Sequence, residues 1–425
     1  MEYRIMNYKP RYADKLLVDK LEATGAVLIQ GPKWCGKTTT ALQVANSVIF
    51  LQDPKVGEQA LLAAEVNPSL VLEGKIPRLI DEWQLAPQLW DAIRHEVDMR
   101  NSFGQFIMTG STTPVESMAK RHTGTGRISK LLMYPMTLSE SNDSSNQISL
   151  NKLFQGETKV EGRSLKSIED VSFLICRGGW PKSIDLSEKV ALQQPLNYVD
   201  SIIDSNLPLY DGVQRNPERV KSLLRSYARF TGSDAKITEI HKDIVANNTT
   251  ISYETTANYI DALKQLFVID ALPAWKPNLR SNTAIRSSDV HHYVDPSIGC
   301  AALGASPADL LNDLKTMGFL FESLCVRDLR VYAQLLDGTL YHYRDKNNLE
   351  CDIIIHLRNG AYGLVEVKIG GSQIDTAAKH LKALSAKINT SKMQEPSFLM
   401  VLTAGQYAYT RNDGVHVVPL ACLSP

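Results

Sequence analysis

The sequence predicts an α/β protein: a parallel sheet flanked by helices, then a helical middle segment, then a second and smaller α/β segment. Three observations carry that prediction. Over residues 26–136 short β-type runs alternate with helical stretches, the pattern of βαβ units and of a parallel sheet covered on both faces. From about 150 to 230 helical periodicity dominates, interrupted at RGGWP (177–181), and residues 233–280 add two helices and a β-like run. From about 318 the pattern turns again, to a helix, three strands (TLYHYRD, ECDIIIHLR and AYGLVEVKI), a further helix and a further strand. The expected domains are 1–140, 150–310 and 318–425.

Composition fits that reading and excludes others. A chain of 425 residues has room for several domains of about 100–200 residues each. With 44% hydrophobic and 22% charged residues it is too apolar to be disordered. The 46 Lys and Arg against 46 Asp and Glu leave no net charge, which excludes a wholesale polyanion binder and leaves room for a local basic groove. No apolar run approaches the roughly 18 residues of a membrane helix, and MEYRIMNYKPRYADKLL lacks the apolar core of a signal peptide. The expected location is cytoplasmic, with no membrane partner. The six cysteines are scattered without a C-x-x-C pair, so reduced, mostly buried thiols are expected rather than a zinc site or disulfide framework.

The first segment places its strands at AVLIQ (26–30), VIFLQ (48–52), RLIDE (78–82), QFIMTGS (105–111) and KLLMYP (130–135). Directly after the first strand comes GPKWCGKTT (31–39), the pattern G-x-x-x-x-G-K-[ST]. Glycines at Gly31 and Gly36 let the backbone curl so that successive N–H groups point at phosphate oxygens, with a helix N-terminus behind them. The cradle would run through Pro32, Lys33, Trp34 and Cys35 to Lys37, Thr38 and Thr39. Lys37 reaches β- and γ-phosphates and the Thr38 hydroxyl ligates Mg²⁺. The context, strand before and helix after, is the one this loop requires. ATP and Mg²⁺ are therefore the expected cofactors.

Two strand ends complete the chemistry. LIDE places Asp81 to hold Mg²⁺ through water and Glu82 to polarise the attacking water. In Thr109-Gly110-Ser111 a hydroxyl, assigned to Ser111, is placed to orient that water or sense the γ-phosphate. Downstream, HTGTGR (122–127) offers the Arg127 guanidinium to transition-state charge, from its own subunit or a neighbour. A surface ion pair is the alternative for Arg127.

The stretches GPKWCGKTTT, LIDEWQLAP, FIMTGS and HTGTGRISKLLMYPMTLSE resemble one family of AAA-superfamily ATPases. These join a P-loop domain to a C-terminal domain of unknown function (domain of unknown function 4143) with a restriction-endonuclease-like core. The resemblance implies ATP binding at Gly31, Gly36, Lys37, Thr38 and Asp81, and sets Arg127 on the family's Gly-Arg motif.

The tail carries Glu350-Cys-Asp352 and Glu366-Val-Lys368 on two strands joined through Arg358-Asn359-Gly360. A two-residue Asn-Gly loop would place Asp352 across from Val367. A three-residue loop with Gly360 left-handed would pair Asp352 with Glu366 and bring Lys368 to the same face. Two opposed carboxylates repel, and a divalent metal between them removes that cost. The D…E-x-K arrangement resembles the nuclease core of the restriction-endonuclease-like fold. There two acids hold Mg²⁺ and the lysine activates water or stabilises the phosphorane, and a further acid is often placed as Glu322 is here. The alternative is an ordinary Glu350–Lys368 pair with the other acids solvated.

In the middle segment, KITEIHKDIVA, NNTT, SYETTANYIDALKQL and FVIDALPAW have the order of a winged helix. Its second helix carries too little positive charge to suit a phosphate backbone, although Lys276, Arg280 and Arg286 follow it. A rigid spacer is the expectation, with Tyr253, Tyr259, Phe267 and Trp275 in its core. Three functions stand. One is an ATP-hydrolysing protein whose nuclease-like tail acts on or binds DNA. The second is a nucleotide-gated scaffold with an inactive tail, and the third an ATP-regulated Mg²⁺-dependent nuclease. Nucleotide, DNA, and a homo-oligomeric or protein partner are the corresponding partners.

Overall fold

A computed structural model describes residues 8–112, 125–206, 215–247, 250–278, 285–286 and 288–425. The chain divides into two compact units. One is Met1–Pro135 with Gln265–Phe267; the other is Met136–Lys264 with Val268–Pro425.

In the first unit five short runs pair as a parallel sheet: β1 (Ala26–Gln30), β2 (Ser47–Phe50), β3 (Arg78–Asp81), β4 (Phe106–Gly110) and β5 (Ile128–Leu132). Their order is β2-β3-β4-β1-β5, so β4 lies between β1 and β3. Alternation along β1 decides what covers each face. Val27 and Ile29 pack with Leu17 and Leu21 of α1 (Tyr12–Ala23) and Ala41 of α2 (Lys37–Val44). Ala26 and Leu28 pack with Ala60 of α3 (Gly57–Val66) and with Leu89 and Ile93 of α4 (Leu89–Arg100). Because both faces are covered, β1 and β4 are buried throughout. The carboxyl ends of β1, β3 and β4 open on one rim, where ligands of such sheets bind.

The second unit takes in both the middle and the C-terminal segments. β6 (Ile148–Ser149), β7 (Glu161–Arg163) and α5 (Ile168–Arg177) precede three helices, α6 (Pro217–Arg229), α7 (Ile237–Ala246) and α8 (Tyr253–Gln265). These lead to the antiparallel pair β8 (Ile269–Leu272) and β9 (Val290–Tyr293), then α9 (Leu314–Leu335). The tail adds β10 (Gly338–Arg344), β11 (Glu350–Leu357), β12 (Tyr362–Lys368), α10 (Ile374–Lys387), β13 (Phe398–Thr403), β14 (Tyr407–Thr410), β15 (His416–Pro419) and β16 (Leu423–Ser424). The sheet order is β10-β11-β12-β13-β15-β14-β7. Thus β7, from the middle segment, edges the C-terminal sheet, and β6 pairs with the last strand, β16. α10 covers one face of the sheet with Ala377, Leu381 and Leu384 against Ile354, Leu364 and Val401.

The polar run SESNDSSNQ (139–147), which reads as a loop or linker from its composition, is packed: Ser144 Oγ donates to Leu423 O (2.8 Å), and Asp143 accepts from Lys166 (2.8 Å) and Arg177 (2.7 Å). Burial alone would raise Asp143, but the Arg177 charge and the bonds from Lys166, Arg177 and Ser141 outweigh it and hold the carboxyl below its usual range. Tyr259 and Trp275 are buried as expected, whereas Tyr253 is exposed and stacks edge-on against His241. The six cysteines are free and buried. Among the described residues no helix is long and apolar enough to cross a membrane.

Asp143→Ala strands the buried Arg177 guanidinium, so it is expected to destabilise the second unit by about 3–5 kcal/mol, read as a lowered denaturation midpoint. A change within error would show that Asp143 does not anchor the 139–147 segment.

Candidate functional site

The turn after β1 closes through two glycines whose backbone no other residue adopts at ease. Gly31 has φ +149°, and a Cβ there would stand 2.1 Å from Met133 O; Gly36, at φ +104°, caps α2. Lys37 is buried and arches back over the loop, its Nζ donating to Gly31 O (3.0 Å) and Pro32 O (2.8 Å). Phosphate oxygens offer that ammonium stronger acceptors than these carbonyls. Burial lowers the pKa of Lys33, the Glu82 carboxylate opposing and the Lys37 ammonium adding to the effect. Trp34 is exposed with φ +67° and Cys35 is buried.

The strand ends converge on one carboxylate. Asp81 Oδ1 accepts from Thr38 Oγ1 (2.7 Å) and from Thr109 Oγ1 (2.6 Å). Glu82 follows in the left-handed conformation, φ +56°, which is strained for a residue with a side chain. Its N–H donates to Thr109 Oγ1 (3.3 Å), and its carboxylate accepts from Gln84 Nε2. Ser111 is buried just beyond β4. The hydroxyl on Asp81 is thus that of Thr109 rather than of Ser111. Thr38 and Asp81 are the donors that suit a hard divalent cation: one hydroxyl and one carboxylate, already in contact.

Arg127 is not brought to this rim. It immediately precedes β5, which runs parallel to β1, and β5's five residues put it roughly 16 Å of strand away from the loop edge. It pairs there with Asp98 at 2.8 Å on the surface. His122 and Gly124 lie outside the described residues.

Sequence reasoning missed Arg11. Buried, it donates from Nη1 to Cys35 O (2.7 Å) and from Nη2 to Tyr134 O (2.8 Å), pinning the phosphate loop to the chain beyond β5. Tyr8 OH stands 2.9 Å from Thr40 Oγ1 on α2. Neither residue belongs to a motif, and no local pattern pointed to either.

The second unit holds another charged site. The β11–β12 hairpin closes through a three-residue loop with Gly360 at φ +90°, Leu357 N donating to Ala361 O at 2.8 Å. Ile353 faces Val365 and His356 faces Tyr362, the register that sets Asp352 across from Glu366. There the ladder parts, and Asp352 Oδ2 accepts from Val367 N (2.7 Å) instead. Lys368 Nζ lies 3.1 Å from Asp352 Oδ2 and 2.7 Å from Glu366 Oε2. Glu366 is 1% exposed, and its Oε1 has no partner. Burial, then the charge of Asp352, raises Glu366 well above its usual range; the same two causes raise Glu322 of α9. Burial alone would lower Lys368, but Asp352 and Glu366 outweigh it and hold the ammonium charged. Burial drops His292 to about 3, so its 3.8 Å approach to Glu322 is not an ion pair.

Among the described residues no group of three or more His, Cys, Asp or Glu side chains could hold a metal ion. The donor set is therefore the Asp352–Glu366 pair with its orphaned Oε1. Mg²⁺, which keeps several waters and often takes one or two carboxylates, fits such a pair. Asp352, Lys368, Glu322, Glu350 and Arg344 line a cavity of about 810 Å³.

Residues 23–142 match the family model described as an AAA domain, residues 168–309 a domain of unknown function (DUF8612), and residues 317–423 a domain of unknown function (DUF4143). No curated protein matches the chain. Among solved structures, a Walker-type ATPase of Pyrococcus abyssi is 14% identical, with a TM-score of 0.44 over 70% of this chain and 96% of that one. A signal transduction ATPase with numerous domains and a tetratricopeptide repeat sensor, from Pyrococcus horikoshii, is 12% identical, with a TM-score of 0.22 over 78% of this chain and 54% of that one.

Arg11→Ala removes the pair of charge-assisted bonds that ties Cys35 of the phosphate loop to Tyr134, so it should weaken nucleotide binding by on the order of tenfold or more in calorimetry, with the fold retained. Unchanged affinity would show the loop holds its shape without Arg11. Glu366 binds more protons folded than unfolded, so its contribution to stability falls as pH rises above the ordinary carboxylate range. Without divalent metal, the melting temperature of Glu366→Gln should gain on wild type between pH 5 and pH 8. A melting temperature of Glu366→Gln that falls or stays level relative to wild type over that range would contradict the raised carboxyl.

Proposed function

We propose that the first unit binds and hydrolyses ATP with Mg²⁺. The carrying observation is the Lys37, Thr38, Asp81 and Thr109 constellation on one sheet rim. Lys37 would exchange loop carbonyls for β- and γ-phosphate oxygens, the backbone N–H groups between Gly31 and Thr38 would share that charge, and Thr38 and Asp81 would hold the cation, which neutralises charge on the phosphates. Glu82, next to Asp81 and held by Gln84, would take a proton from the attacking water. Arg127 would act only on a neighbouring subunit's nucleotide, since its own rim is the opposite one.

The C-terminal cleft is read as a phosphodiester site of restriction-endonuclease-like type. Asp352 and Glu366 would hold Mg²⁺, and Lys368 would stabilise charge on the phosphate under attack by water. The unpartnered Glu366 Oε1 favours a working site over an inert ion-pair cluster, since a merely structural cluster leaves no reason to strand it. α6 to α8 with β8 and β9 follow the winged-helix order and are read as a spacer. Lys276 is exposed there, Arg286 faces Asp234, and Arg280 lies outside the described residues. A location in the cytoplasm goes with this reading.

Glu82→Gln is expected to keep ATP binding and to slow hydrolysis by about 10²-fold or more, whereas Lys37→Ala abolishes both. Hydrolysis by Lys37→Ala at the wild-type rate would overturn the assignment. Mg²⁺-dependent nicking of plasmid, lost in Asp352→Ala, separates a nuclease from a binding module.

A further inference from the structure

The cleft at Asp352 carries charges that phosphodiester chemistry there does not use. Arg344 ends β10 directly across from Glu350, two residues before Asp352 on β11. Cross-strand partners and i, i+2 neighbours share a face, so Arg344 and Asp352 look into the same cavity, about 7 Å apart along the strand. Arg344 Nη1 stands 3.2 Å from Asp234 Oδ1. Its Nε is buried without a hydrogen-bond partner, 3.7 Å from Glu350 Oε2. Arg286 brings a second guanidinium 3.8 Å from Asp234 Oδ2, tied to β10 by its N–H on Arg344 O (2.8 Å).

Asp234 comes from the turn between α6 and α7, and that turn forms one wall of the cavity. Gly232 in it has φ +73°, and a Cβ there would stand 3.1 Å from Phe319 and 3.4 Å from Glu322 Oε2. The turn is thus pressed against α9 where the acids converge. A carboxylate on a guanidinium beside a phosphate site takes the place of a phosphate oxygen, because the guanidinium fork matches both anions.

We propose that Arg344, backed by Arg286, is the subsite for the neighbouring phosphate of a single nucleic-acid strand whose reacting phosphate sits at Asp352, Glu366 and Lys368, and that Asp234 is the intramolecular anion this strand displaces. The proposal rests on the reading of the cleft as a phosphodiester site. Binding exchanges one anion for another on Arg344; no covalent bond forms or breaks. A cavity of about 810 Å³ is of small-ligand size and suits a flexible strand better than an intact duplex.

The test is fluorescence anisotropy of labelled oligodeoxythymidylate with the full chain, in Ca²⁺, across a salt series. Asp234→Asn should bind about three- to tenfold more tightly than wild type. Arg344→Gln should bind more weakly, and its plot of log affinity against log salt should be shallower by about 0.7, one phosphate contact on a single strand. Arg344→Lys, which keeps the charge and the packing but loses the fork, should fall between them. Thermal melts of each variant check the fold. Equal or weaker binding by Asp234→Asn, or an unchanged slope in Arg344→Gln, overturns the subsite; if Asp352→Ala still loses plasmid nicking, the cleft reading survives that result. A wild-type chain that binds no strand overturns both. Tighter binding of duplex than of single strand also overturns the proposal.

Discussion

One carboxylate oxygen organises the first unit's site. Asp81 Oδ1 takes hydroxyl hydrogens from Thr38 at the head of α2 and from Thr109 near the end of β4. Three chain segments far apart in sequence therefore meet on one atom, and the strand order makes this possible by setting β4 between β1 and β3. Two short bonds to one oxygen hold a carboxylate more firmly than either would alone. The strained backbone of Glu82 is the next residue, so rigidity at Asp81 also sets where Glu82 begins. Arg11 does the corresponding work on the loop's other flank, with both ends of its guanidinium on main-chain carbonyls.

The second unit answers a different constraint: how to keep like charges close in a sheet. Asp352 and Glu366 would repel across the hairpin, and three local features absorb this. Lys368 bridges the pair, Val367 N–H solvates Asp352, and burial favours a proton on Glu366. A proton held by burial is one a cation can replace once the pH is high enough. The cluster is thus balanced without a ligand, and under the proposed reading a divalent ion would take the place of that proton.

Where a feature was local, the sequence showed it. AVLIQ forms β1 at residues 26–30 as read, because an apolar run hard against a glycine turn admits few alternatives. Gly360 settled the hairpin register, since the three-residue loop needs a left-handed residue at its last position and glycine supplies it. What was not legible depends on long-range packing. β7 is Glu-Gly-Arg, with no β-type pattern, and is a strand only because β14 offers it an edge. The run 139–147 looks like solvated linker in composition, yet Asp143 is paid back by Lys166 and Arg177. Arg127 had a suggestive neighbourhood, and only the strand direction reveals that it sits just before β5 at the far rim.

The proposed nucleotide site depends on Asp81 as the anchor for the cation. Titration calorimetry of ATP into wild type and Asp81→Asn, with and without Mg²⁺, addresses it directly. The expected result is that Mg²⁺ strengthens ATP binding to wild type and makes little difference to Asp81→Asn, which still binds the free nucleotide. An equal response to Mg²⁺ in both proteins would contradict it.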